Sequence, residues 1–113
     1  MIKIYHNPKC KKSREGLKYL EERALEYEIV DYLKDTLSTD ELSKLIDMTG
    51  LQVEDLVRKQ EEDYKKNYKG KSFTKNEWVK ILIENPKLLQ RPIVVNGSRA
   101  VWAQPPDNID NII

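Results

Sequence analysis

Tyr5-His6-Asn7-Pro8-Lys9-Cys10-Lys11-Lys12-Ser13-Arg14 is the stretch from which the rest of the chain can be read. Just before it, Ile2, Ile4 and Tyr5 supply the β-branched and aromatic residues of a short strand. Asn7-Pro8 stops that strand, because proline disfavours a helical conformation in the residue before it. From Lys11 or Lys12 to about Arg23, Leu17, Leu20 and Ala24 recur at i, i+3 and i+7 and give a helix an apolar stripe. Cys10 therefore falls at a strand–loop–helix junction. There the free N–H groups of about Lys11, Lys12 and Ser13 point at the sulfur, and the positive end of the helix dipole favours a thiolate. The same backbone geometry binds tetrahedral oxyanions at helix N-termini. Lys9, Lys11, Lys12 and Arg14 crowd the cysteine, with no acid until Glu15. His6 either stabilises the thiolate as imidazolium or orients the loop. Ser13 either caps the helix or donates its hydroxyl to the sulfur or an anion.

Outward from this junction the pattern stays regular. Tyr27 to Tyr32 reads as a second strand. Ser38-Thr39-Asp40-Glu41 and Thr74-Lys75-Asn76-Glu77 are capping boxes, stapled by Leu37 with Leu42 and by Phe73 with Trp78. The first opens a helix that buries Leu42, Leu45 and Ile46 and ends at Gly50. The second opens one carrying Trp78, Ile81 and Leu82, which stops near Asn85-Pro86. A short helix lies between them near Val53 to Val57. Ile93 to Val95 is a buried-type strand, Asn96-Gly97 a hairpin turn, and Ala100 to Trp102 the return strand. After Pro105-Pro106, Ile109, Ile112 and Ile113 give a closing helix its apolar face. The order is β-α-β, helices, then a β-hairpin and a helix: one α/β domain over 1–113 with a helical insertion at about 38–90.

Composition narrows the function. The chain has 113 residues and a net charge of +1, so the whole-molecule field makes no case for nucleic acid or membrane binding. Apolar runs last only a few residues, far short of a bilayer span. A soluble, cytoplasmic protein is expected, and there Cys10 stays a thiol. It is the only cysteine, beside one histidine, which excludes an internal disulfide and the multi-cysteine zinc modules. No metal, nucleotide or flavin motif occurs, so no bound cofactor is expected, and nothing points beyond a monomer.

Three segments carry a family resemblance. Residues 5–14 resemble the active-site signature of the glutaredoxin-linked arsenate reductase (ArsC) family, which also contains the Spx transcription regulators. Leu56-Val57-Arg58-Lys59-Gln60-Glu61 resembles that family's helical Arg-Lys element, and Gln90-Arg91-Pro92-Ile93-Val94-Val95 its Arg-Pro-Ile-Val segment. The resemblance implies a thioredoxin-like fold and a cis-proline at Pro92 beside the active-site loop. It implies that Cys10 attacks arsenate, that glutathione is co-substrate and that glutaredoxin resolves the mixed disulfide. Arg58 and Arg91 match two of the three arginines that bind the oxyanion in these enzymes. Gln104 occupies the position of the third, with Arg99 as the alternative source of that charge. His6 and Ser13 would lower the thiol pKa. Two other readings stand beside this one. A glutathione-dependent thiol–disulfide reductase tolerates Gln104 better, because a disulfide is not an oxyanion. An Spx-like regulator that binds RNA polymerase fits less well, because Ser13 removes the C-x-x-C switch.

Overall fold

A computed structural model describes residues 2–113, which divide into two compact units. The first takes residues up to Asp35 together with Arg91–Ile113; the second is Thr36–Gln90.

The first unit is a four-stranded sheet in the order β2-β1-β3-β4. Strand β1 (Ile2–Tyr5) pairs parallel with β2 (Tyr27–Val30) and antiparallel with β3 (Ile93–Asn96), which pairs antiparallel with β4 (Arg99–Trp102). Helix α1 (Lys11–Glu22) makes the β1–β2 crossover. This β-α-β, β-β arrangement, closed by a 3-10 helix at Pro106–Asn111, is the thioredoxin-like fold. Alternation puts Ile2 and Ile4 on one face of the sheet, where they pack with Leu20, Val94, Ala103, Ile109 and Ile112. Tyr19 of α1 and Arg23, its C-cap, reach Asp110 of the closing helix, the hydroxyl donating to Oδ1 at 2.8 Å and the guanidinium Nε at 3.2 Å.

Several elements differ from the sequence expectation. Strand β2 stops at Val30, because Asp31 turns the chain: its Oδ1 accepts from Leu33 N–H and its carbonyl from Asp35 N–H. The hairpin turn is Gly97-Ser98, with Asn96 paired opposite Arg99, and Gly97 takes the positive φ of +64°. The closing helix is a 3-10 helix, Pro106–Asn111, and stops short of Ile112 and Ile113. Asn108 donates to the carbonyls of Trp102 and Gln104, and Ile113 stays exposed.

The second unit is helical. Helix α2 (Thr39–Thr49) has the full Ser38/Glu41 capping box and ends on Gly50 at φ +70°. A 3-10 turn follows at Val53–Leu56, then α3 (Glu62–Asn67) and α4 (Lys75–Glu84), which has the Thr74/Glu77 box. The Phe73–Trp78 staple is an edge-on ring contact with centroids 5.0 Å apart. Val79 rather than Ile81 is buried beside Trp78 and Leu82. Helix α3 had no apolar periodicity to announce it. Its acids lie in the first turn and its lysines in the last, as the dipole favours, and Tyr64 stacks on Trp78. No helix among the described residues is long and apolar enough to cross a membrane.

Candidate active site

Cys10 is the N-cap of α1, in extended conformation at φ −94° and ψ 125°. Its carbonyl accepts from Arg14 N–H, while its own N–H donates to the Asn7 carbonyl at 3.0 Å. Asn7 is the organiser of this loop. Its Oδ1 accepts from Lys9 N–H at 3.0 Å, and its N–H donates to Ser13 Oγ at 3.2 Å. Sequence reasoning passed over Asn7, although asparagine before proline is a known side-chain turn signal. The buried Asn7 and Ser13 thus lock the loop onto the first turn of the helix.

The thiol is half-buried, and burial alone pushes its pKa up. Opposing this are the Ser13 backbone N–H, a hydrogen bond from the Arg91 side chain, the Lys12 backbone N–H and the Arg91 charge. The balance leaves the thiol below its ordinary value. Ser13 acts on the sulfur through its backbone N–H, and its hydroxyl oxygen accepts from Asn7 N–H. His6 differs from the imidazolium considered above. It is buried, burial is the largest influence on it, and its pKa falls below the ordinary value despite Asp31. It is therefore uncharged near neutral pH and acts as part of the loop's framework; the cation at the sulfur is Arg91.

Arg91 is itself buried and precedes Pro92 through a cis peptide bond, as the resemblance implied; Gln104–Pro105 is also cis. Pro92 packs so closely on α1 that a Cβ at Gly16 would meet its Cγ at 2.6 Å. Gly16 is a second residue that the sequence reading left out. The Pro92 carbonyl accepts from Ala103 N–H at 2.9 Å, which carries the β3–β4 ladder beyond Trp102 toward Gln104.

Sheet register separates the two candidates for a third cationic position. Tyr5, Ile93 and Trp102 lie in one row across the sheet, at the end from which the Cys10 loop departs. Ile2, Asn96 and Arg99 form the row at the other end, roughly 10 Å away. Arg99 therefore belongs to the end remote from Cys10, and Gln104 follows the strand end nearer to it. The Gln104 Oε1 is buried and has no hydrogen-bond partner. Lys11 and Lys12 extend exposed side chains at the start of α1. Arg58 belongs to the second unit, where its Nη1 donates to Glu61 at 2.7 Å. No group of three or more His, Cys, Asp or Glu that could hold a metal ion occurs among the described residues.

Chemically the first unit offers a single activated thiol with backbone N–H donors and a guanidinium beside it, an arrangement suited to thiol redox chemistry. Comparison with known proteins agrees. Residues 5–112 match the ArsC family. The arsenate reductase of Haemophilus influenzae is 36% identical over 112 residues, covering 97% of each chain. The uncharacterized protein YfgD of Escherichia coli is 37% identical over 114 residues, covering 99% of this chain and 96% of its own. Among solved structures, an arsenate reductase from Vibrio cholerae superposes with a TM-score of 0.94 at 38% identity, covering 99% of this chain and 97% of its own. Agreement in both sequence and backbone, over nearly the full length of each pair, settles the assignment: the chain belongs to the ArsC family.

Proposed function

We propose that this protein is a thiol-dependent reductase of the arsenate reductase type, with Cys10 as nucleophile and an outside thiol as reductant. The observation that carries the reading is the Cys10 thiol held below its ordinary pKa by the Ser13 and Lys12 N–H groups and Arg91. The names of the relatives from Haemophilus influenzae and Vibrio cholerae support a tetrahedral oxyanion as substrate. The thiolate attacks arsenic(V) and a protonated arsenate oxygen leaves as water. This forms an S–As bond without a change of oxidation state. Thiols then supply two electrons. Over the cycle two thiol groups become one disulfide, arsenic(V) becomes arsenic(III), and one oxygen has left as water.

Cys10 is the only cysteine, so the resolving sulfurs come from other molecules. Glutathione is proposed as co-substrate and glutaredoxin as the protein that resolves the mixed disulfide, with the enzyme acting as a monomer without a bound cofactor. The planar fork of Arg91 suits an oxyanion, and the Lys11 and Lys12 N–H groups suit its remaining oxygens. Arg58 is proposed as a further oxyanion ligand on the family resemblance. The experiment is glutathione- and glutaredoxin-dependent formation of arsenite. Wild type is expected to turn over and Cys10→Ser to be inactive; an inactive wild type, or an active Cys10→Ser, refutes the reading.

Gln104 favours a second reading, exchange on mixed disulfides without arsenate chemistry. A charge-assisted contact contributes about 1.5–3 kcal/mol, so its loss lowers oxyanion stabilisation by about ten- to a hundredfold. If arsenate is the substrate, Gln104→Arg should raise arsenite formation by up to that factor. If the second reading holds, arsenate will leave the rate of Cys10 alkylation unchanged.

A further inference from the structure

One residue holds both ends of the segment that carries the thiol. Asn7 uses three polar groups inside the loop, and each goes to a different place. Its carbonyl accepts from Cys10 N–H at 3.0 Å and closes a turn through Pro8 and Lys9. Its side-chain Oδ1 accepts from Lys9 N–H at 3.0 Å. Its own N–H donates at 3.2 Å to the hydroxyl of Ser13, inside the first turn of α1. Asn7 is 6% exposed and Ser13 0%, so the bond between them is shielded from water, where losing a partner costs more than at the surface.

These bonds sort the N–H groups around the sulfur. Those of Lys9 and Cys10 are taken by Asn7. Arg14 N–H makes the first helical bond, to the Cys10 carbonyl. The N–H groups of Lys11, Lys12 and Ser13 have no acceptor within the helix, because no helical carbonyl precedes the first turn. Lys12 and Ser13 are the two whose backbone acts on the Cys10 sulfur. The sulfur reaches them from an extended N-cap residue, at the end of the turn that Asn7 closes.

We propose that Asn7 is the positioning residue of the Cys10 nucleophile: it acts through Lys12 and Ser13, tying the turn before the cysteine to the first turn of α1 so that the sulfur meets their N–H groups. The proposal rests on the reading of Cys10 as a thiolate nucleophile and adds the residue that prepares it.

The test follows Cys10 alkylation by iodoacetamide against pH, together with the ultraviolet absorbance of the thiolate. Asn7→Ala removes the Oδ1 acceptor and leaves both backbone bonds. Its pH midpoint is expected about half a unit to one unit above wild type, as for the loss of about one hydrogen bond. Asn7→Ser offers Lys9 N–H a hydroxyl in a weaker version of the same turn, so it should recover part of that shift. Arg91, the charge beside the sulfur, and the neutral His6 are present in every variant. Asn96→Ala is the control. It removes the bond from Asn96 Nδ2 to the Ile112 carbonyl, 2.7 Å long, in the row of the sheet remote from Cys10. It should lower stability and leave the pH midpoint in place.

An Asn7→Ala midpoint equal to wild type overturns the proposal, as does an Asn7→Ser midpoint no lower than that of Asn7→Ala. An equal shift in Asn96→Ala also overturns it, since the cause would then be general loosening. Should Asn7→Ala not fold, amide hydrogen exchange of the unaltered protein decides. Relative to their intrinsic rates, the Lys9 and Cys10 amides should exchange more slowly than that of Lys11, and equal protection contradicts the proposal. A wild-type midpoint no lower than that of a small model thiol refutes the thiolate reading together with the role of Asn7. A low wild-type midpoint that Asn7→Ala leaves unmoved refutes the role of Asn7 alone.

Discussion

At Cys10 two effects oppose each other. Burial raises the thiol pKa, while backbone N–H groups and Arg91 lower it and prevail. The consequence is directional. The thiolate persists to lower pH than in a free cysteine, so the pH midpoint of iodoacetamide alkylation should lie below that of a small model thiol. A group whose folded pKa is depressed adds stability above its unfolded pKa and loses it as pH falls through the folded pKa. The Cys10 contribution is therefore present in mild alkali and fades toward acid. Arg91→Met should move the alkylation midpoint upward and slow the reaction severalfold at neutral pH, and a midpoint left in place would show that Arg91 does not act on the sulfur. The residues of the loop were legible because Cys10 lies between a proline break and a helical stripe. The source of the positive charge was not. His6 is near in sequence but buried and neutral, whereas Arg91 arrives from eighty-one residues away.

Helix α1 shows what local sequence hides about an element. It ends in a Schellman motif, with Ala24 N–H bonded to the Glu21 carbonyl and Leu25 N–H to the Leu20 carbonyl. Ala24 holds the left-handed position at φ 53°, where glycine is usual. The sequence stripe treated Ala24 as part of the helix's apolar face; the backbone makes it the turn that ends the helix. Ala24→Gly should stabilise the protein by about 0.5–1 kcal/mol, measured by denaturant unfolding, because glycine adopts this conformation without a Cβ clash. Gly16, in the middle of the same helix, is the reverse case. Glycine costs helical stability there, but a Cβ would meet Pro92. Gly16→Ala is expected to lower stability by about 1–3 kcal/mol, as overpacking usually does, and to slow Cys10 alkylation by displacing the Arg91–Pro92 segment. An unchanged unfolding midpoint would show that this contact is soft. The capping boxes of α2 and α4, by contrast, were readable outright, since they depend only on residues within four positions of one another.

For the molecule as a whole, one cysteine determines the stoichiometry. Without an added thiol the proposed enzyme can form at most one Cys10 adduct per chain and release no arsenite over repeated turnovers. Quench experiments with arsenate alone should find no continuing product formation, and sustained turnover would contradict a mechanism that needs an outside thiol. The element order, the single cysteine at the start of α1 and the capping boxes of α2 and α4 followed from sequence, because periodicity, capping and turn chemistry act over a few residues. Tertiary structure decided what depends on chain segments meeting. It chose Arg91 over His6 as the charge beside the thiol and required glycine at position 16 opposite Pro92. It also put Arg99 at the end of the sheet remote from Cys10. Register and burial are set by strand pairing and packing across the whole sheet, and no local pattern in the chain encodes them.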